Sequence, residues 1–139
     1  MFDVTPAALE LVRPGRLLYP LAAWVVMAVL AVGNGAFRET VLTPRLGERG
    51  AHLLSTGMLV SLILLVSAVF FRSVPAQYSL AERLAIGTSW VVLTVGFEFL
   101  VGYLEGTPVE ATLAQYDVLS GHVWIVVPLT LFLAPLLFG

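Results

Sequence analysis

The sequence predicts an all-α integral membrane protein, a four-helix bundle that occupies a single domain over residues 1–139. Hydrophobic residues make up 59% of the chain and charged residues 12%, and the mean hydropathy is +0.96. These values lie outside the usual range of soluble globular domains. Uncharged stretches also recur at a length that crosses a hydrocarbon core of about 30 Å. The predicted chain is therefore polytopic, with the lipid bilayer as its main partner.

Four apolar stretches define the predicted spans, at about 17–37, 51–71, 80–104 and 122–138. The first is uncharged, and the second has His52 as its one ionisable side chain. The third begins within "SLAE" at residues 79–82, a capping box in which serine and glutamate satisfy N–H groups at a helix start. The fourth contains Pro128 and Pro135, which we expect to kink or loosen the helix.

Two shorter helices are predicted at the membrane surface, near 5–13 and 108–119. In the second, Thr107 and Glu110 form a capping-box pattern, and Pro108 suits the first helical position. A similar Thr-Pro step opens the segment near 5–13, whose apolar side chains favour an interfacial position.

The distribution of arginine predicts the orientation in the membrane. All seven basic residues are arginine. Four of them fall on the side of both termini, and three on the other side, near the predicted loop that contains Thr43-Pro44. By the positive-inside rule, we expect cytoplasmic N- and C-termini in a multi-pass protein of a cell membrane, the bacterial inner membrane.

Glu98 is the polar residue predicted to lie deepest in the membrane. At least five uncharged residues flank it on either side in "VLTVGFEFLVGYLEG". A charge at such a depth is costly unless it is paired or faces a wet cavity, so we expect Glu98 to face the bundle interior. Gly87, Thr94 and Gly102 share its helix face and form a small, polar stripe suited to close packing.

Arg38 is the predicted partner of Glu98. Asn34 precedes Arg38 by four residues and therefore shares its helix face. Either the pair is a buried ion pair that orients the helices, or the same residues line a solute-binding site; in a third interpretation, Arg38 extends to the lipid headgroups. Gly33 and Gly35 would let the first helix approach its neighbour closely.

The other candidate site residues lie at the same membrane face and are predicted to line the pocket mouth. In a regular helix, Glu39 would point about 100° away from Arg38. The predicted mouth comprises Glu39, His52, Ser55, Thr56, Tyr103, Asp117 and His122.

Aromatic residues near the span ends are predicted to form the belts that anchor membrane proteins at the interface. These residues are Tyr19, Trp24, Tyr78, Trp90, Tyr103, Tyr116 and Trp124.

The histidines leave open a cofactor site. His52 and His122 begin neighbouring predicted spans at similar depth, so the two imidazoles are candidate ligands of a b-type haem. Together with Glu98, they are also candidate ligands of a divalent metal. The chain contains no cysteine, which excludes thiolate sites and covalent c-type haem.

The function predicted from these patterns is binding or conduction of an ion or small polar solute by a pocket in the non-cytoplasmic half. Two alternatives remain: an accessory subunit of a larger membrane complex, and a haem- or metal-binding membrane protein. A homo-oligomer is a further possible assembly. The sequence has no catalytic constellation that favours an enzyme, and no basic tract that suggests nucleic acid.

Overall fold

The computed structural model describes residues 18–74, 78–114 and 124–139, and within these ranges it is helical with no strand. The predicted all-α class is confirmed for these residues, whereas the predicted helix near 5–13 lies outside them. In chain order the elements are α1 (Leu18–Phe37), a π-helical turn (Arg38–Leu42), α2 (Thr43–Ser73), α3 (Leu80–Leu104), α4 (Val109–Ala114) and α5 (Val126–Phe138).

Two helical stretches are long and apolar enough to cross a membrane, by length and composition. Leu18–Ser73 and Leu80–Leu104 contain windows with mean hydropathies of 2.4 and 1.8. The buried share of those windows is 28% and 17%, so most of their residues are not covered by the protein itself. α5 is a shorter apolar helix.

The first stretch is divided at Gly47, where φ is 77° and ψ is 170°. Positive φ is the conformation that glycine adopts at little cost, so the chain can leave the helix here and α2 can pack against α1. The sequence predicted a loop at Thr43-Pro44 and a second span from residue 51. Instead, helical structure continues from α1 through Thr43 and Pro44, and the break lies at Gly47, inside the range of α2; the helix beyond Gly47 contains the predicted second span.

α3 has the predicted bounds, and its capping box is confirmed. Ser79 Oγ accepts a hydrogen bond from the Glu82 amide at 3.1 Å, and Glu82 Oε1 accepts one from the Ser79 amide at 2.8 Å. The helix ends at Leu104, and the φ of 78° at Gly106 lets the Thr107 amide donate to the Gly102 carbonyl at 2.7 Å.

The last two predicted helices lie only partly within the described residues. α4 covers six residues of the predicted 108–119 helix, and residues 115–123 lie outside the described ranges. α5 begins at Val126, after a turn at residues 124–125. Pro128 falls in its first turn and interrupts no hydrogen bond there, whereas Pro135 lies inside the helix.

The packing of the helices leaves a gap on one side of the bundle. α5 packs against both α3 and α2, and α1 packs against α2, while the contact between α1 and α3 is the least extensive of these. α3 and α5 meet closely at Gly87, where a Cβ would lie 2.6 Å from the Phe132 carbonyl oxygen. The core contains Met27, Leu59, Ile63, Ile86, Trp90, Val127 and Leu131.

Candidate binding cleft

A cleft of about 760 Å³ lies between α1 and α3, with α2, α4 and the segment 124–131 completing its lining. Asn34, Arg38 and Glu98, the three residues predicted to form the centre of the site, all line it. Charged side chains concentrate near the ends of α1 and α3. The other end is apolar and is lined by Met27, Leu59, Ile63, Val127 and Leu131.

Asn34, which lines the cleft, carries a buried hydrogen-bond acceptor. The residue is 7% exposed, and its Nδ2 donates to the Ser55 carbonyl at 3.0 Å and to Ser55 Oγ at 2.9 Å. A carbonyl can only accept, so this contact fixes which amide atom faces Ser55. Oδ1 is buried and has no hydrogen-bond partner in the part of the chain that the structure describes. Asn34 is therefore anchored through its donor, and its acceptor remains to be satisfied.

Glu98 is held on the opposite wall by an indole. Trp124, just before α5, donates from Nε1 to Glu98 Oε1 at 2.7 Å, a distance typical of a bond to a charged acceptor. The Trp124 ring in turn lies against His52 of α2, with centroids 5.7 Å apart and planes inclined by 37°. His52, predicted at the pocket mouth, thus adjoins the site through Trp124.

Arg38 forms an ion pair with its sequence neighbour. Its Nε lies 3.3 Å from Glu39 Oε1, and the two side chains are 25% and 67% exposed. Both residues lie in the π turn, and their side chains meet although successive residues of a helix point in different directions. Both side chains line the cleft. A direct contact between Arg38 and Glu98 stays a prediction.

The proposed role of Gly33 and Gly35 in close helix approach is wrong. A Cβ on Gly33 would meet nothing within 4 Å, and one on Gly35 would meet only the Arg38 side chain, at 3.8 Å. Of the glycines predicted on the α3 stripe, Gly87 packs against α5, and Gly102 would bring a Cβ within 3.0 Å of Thr112 Oγ1. The stripe thus faces neighbours, as predicted.

The other predicted mouth residues are dispersed. Ser55 and Thr56 are buried; Ser55 holds Asn34, and Thr56 Oγ1 donates to the His52 carbonyl at 2.8 Å. Tyr103 is 81% exposed and is not among the residues that line the cleft. Asp117 and His122 lie outside the described residues.

Sequence reasoning missed the aromatic wall of the cleft. Trp24 donates from Nε1 to Thr94 Oγ1 at 2.9 Å and meets Phe97 edge to face, with centroids 6.1 Å apart. All three of these residues line the cleft. The signal was present, since Trp24 lies two heptads before Arg38 and therefore on nearly the same face of α1. Glu105, Thr107 and Thr112 are further lining residues that were not predicted.

The predicted aromatic belt is wrong for three of its members. Trp90, Tyr78 and Trp124 are 1%, 3% and 9% exposed. Trp90 Nε1 donates to the Pro20 carbonyl at 2.9 Å inside the bundle. An indole can lie in the interior when its N–H finds such an acceptor.

Among the described residues, no group of three or more His, Asp or Glu side chains is placed to hold a metal ion. Because His122 lies outside these ranges, the haem and metal alternatives stay predictions.

Comparisons of the chain with protein-family models, with curated proteins and with solved structures find no match. Its function is therefore inferred from the residues of the cleft.

Proposed function

We propose that the chain is a four-span membrane protein whose cleft binds, and in transport passes, an ion or small polar solute. The observation that carries this proposal is the buried Oδ1 of Asn34, which has no hydrogen-bond partner among the described residues and belongs to a residue that lines the same cleft as Arg38 and Glu98. An unsatisfied buried acceptor costs about 1–3 kcal/mol. A ligand that donates to it, or a cation that contacts it, removes this cost.

Four spans follow if the break at Gly47 divides the first apolar stretch into two. α3, with 25 residues, is about 38 Å long and spans the hydrocarbon core. α5 has 13 residues and is about 20 Å long, and the uncharged sequence before it would complete a fourth span. Large apolar side chains also face outward, such as Val29 at 66%, Leu65 at 60% and Val92 at 65% exposure. Such a surface suits lipid better than water.

The orientation proposed from the arginine distribution puts both termini in the cytoplasm and the polar end of the cleft on the other side of a bacterial inner membrane. Because the chain has no cysteine, single cysteines report it directly. A membrane-impermeant maleimide applied to intact cells should label Glu48→Cys and leave Arg72→Cys unlabelled until the cells are opened. The reverse pattern would contradict the orientation.

Ligand binding is tested by titrating the protein in lipid nanodiscs and following tryptophan fluorescence, because Trp24 and Trp124 line the cleft. The probes are the chlorides of sodium, potassium, magnesium and ammonium, together with small amines and polyols. We expect at least one saturable response, weakened about tenfold or more by Glu98→Gln, since a hydrogen bond to a charged group contributes about 1.5–3 kcal/mol.

Glu48→Gln is the matched control, because it removes the same charge from an exposed site outside the cleft. It should leave the response unchanged. A protein that responds to none of these probes, or binds equally well in both variants, would contradict the proposal.

A further inference from the structure

The charged groups of the cleft suit a cation rather than an anion. Among the described lining residues, the carboxylates of Glu39, Glu98 and Glu105 stand against a single guanidinium, that of Arg38. That guanidinium is already paired with Glu39. A bound anion would therefore meet an excess of negative formal charge, whereas a cation would be stabilised by it.

The buried acceptor adds a requirement for a donor. Nδ2 of Asn34 donates to Ser55, so Oδ1 is the atom of this amide that lacks a partner among the described residues. A buried acceptor without a partner gains most from a ligand that carries an N–H or O–H group. This distinguishes a protonated amine from a quaternary ammonium ion, which has no such hydrogen.

The rest of the lining is aromatic and apolar, and such side chains offer no ligands to a small hydrated metal ion. Trp24 and Phe97 meet edge to face in the cleft wall, and aromatic rings of this kind attract organic cations. Beyond them lie side chains such as Met27, Leu59 and Ile63. The volume of about 760 Å³ lies in the range of pockets that hold drug-sized molecules, about 300–1,000 Å³.

We infer that the ligand of the cleft is an apolar organic amine in its protonated form. Its ammonium group donates to Asn34 Oδ1 and is balanced by the carboxylates of the polar end, while its apolar body lies against Trp24, Phe97 and the aliphatic floor. This inference rests on the proposed function and specifies its ligand class.

Three related probes test the inference on the wild-type protein in lipid nanodiscs. They are 2-phenylethylamine, its trimethylammonium analogue, which keeps the charge without the N–H donor, and 2-phenylethanol, which keeps a donor without the charge. We expect the amine to bind about 10- to 100-fold more tightly than either analogue, as measured by tryptophan fluorescence and calorimetry. Equal or tighter binding of an analogue would overturn the inference.

Two variants locate the donor contact. Asn34→Ala should weaken binding of the amine and abolish its advantage over the trimethylammonium analogue. Ser55→Ala keeps Asn34 Oδ1, and it keeps the hydrogen bond that Asn34 Nδ2 donates to the carbonyl of residue 55. The advantage of the amine over the trimethylammonium analogue should therefore persist in this variant. An advantage that is unchanged in Asn34→Ala would contradict the assigned contact, and the wild-type series decides the ligand class even if a variant fails to fold.

The outcomes separate this inference from the proposed function. Saturable binding of an inorganic ion or a polyol, without binding of 2-phenylethylamine, would overturn the amine and leave the solute site standing. An absence of binding by every probe would overturn both.

Discussion

Replacing Gly87 by alanine tests the close contact between α3 and α5 that backs the cleft. The new Cβ would lie 2.6 Å from the Phe132 carbonyl oxygen and 3.2 Å from its Cα. These are backbone atoms, so the helices must separate; such overpacking costs about 1–3 kcal/mol. Alanine also improves helix propensity by about 1 kcal/mol. The net loss of stability is therefore about 0–2 kcal/mol.

Gly96→Ala on the same helix is the matched control, since a Cβ there would meet nothing within 4 Å. It should gain the propensity of about 1 kcal/mol without the clash. The difference between the variants then isolates the packing cost, about 1–3 kcal/mol. For a chain of this size, that corresponds to about 3–10 °C in the midpoint of thermal unfolding, followed by circular dichroism in detergent. Equal midpoints for the two variants, or a higher midpoint for Gly87→Ala than for Gly96→Ala, would refute the close contact.

Two further substitutions test the hydrogen bonds that hold the bundle. Ser79→Ala removes the oxygen that caps α3 and should cost about 1 kcal/mol of unfolding free energy. Ser61→Ala, on the exposed face of α2, should be nearly neutral. Equal effects of the two substitutions would argue against the cap. Trp90→Phe leaves the Pro20 carbonyl without its indole donor and should cost about 1–3 kcal/mol in the same assay, so an unaltered midpoint would exclude that bond.

The sequence was most informative where a local rule fixes the structure. The "SLAE" cap determines where α3 begins, because its serine and glutamate satisfy backbone N–H groups at the start of the helix. The isolated charge of Glu98 likewise indicated an interior position, since a lipid-facing carboxylate is costly. The face shared by Asn34 and Arg38 followed from helical spacing, and both residues line the cleft.

Other features depend on tertiary packing and were not predictable from the pattern. A Thr-Pro step suits both a loop and the first turn of a helix, so the true break at Gly47 was missed. The helices are apolar on every side, which hides the side that packs inward. Trp90 was therefore assigned to the membrane interface, although its indole hydrogen bond lies inside the bundle.

The central claim, a wet cleft in a lipid-embedded bundle, is tested most directly by three single cysteines on α1. Ala31 lines the cleft, while Val29 and Gly33, two residues to either side, are exposed on the outer surface and do not line it. In nanodiscs, a charged thiol reagent should modify Ala31→Cys much faster than Val29→Cys or Gly33→Cys, because thiols react as thiolates in water and not in lipid. Rapid modification of either outer position, or none at Ala31→Cys, would contradict the account.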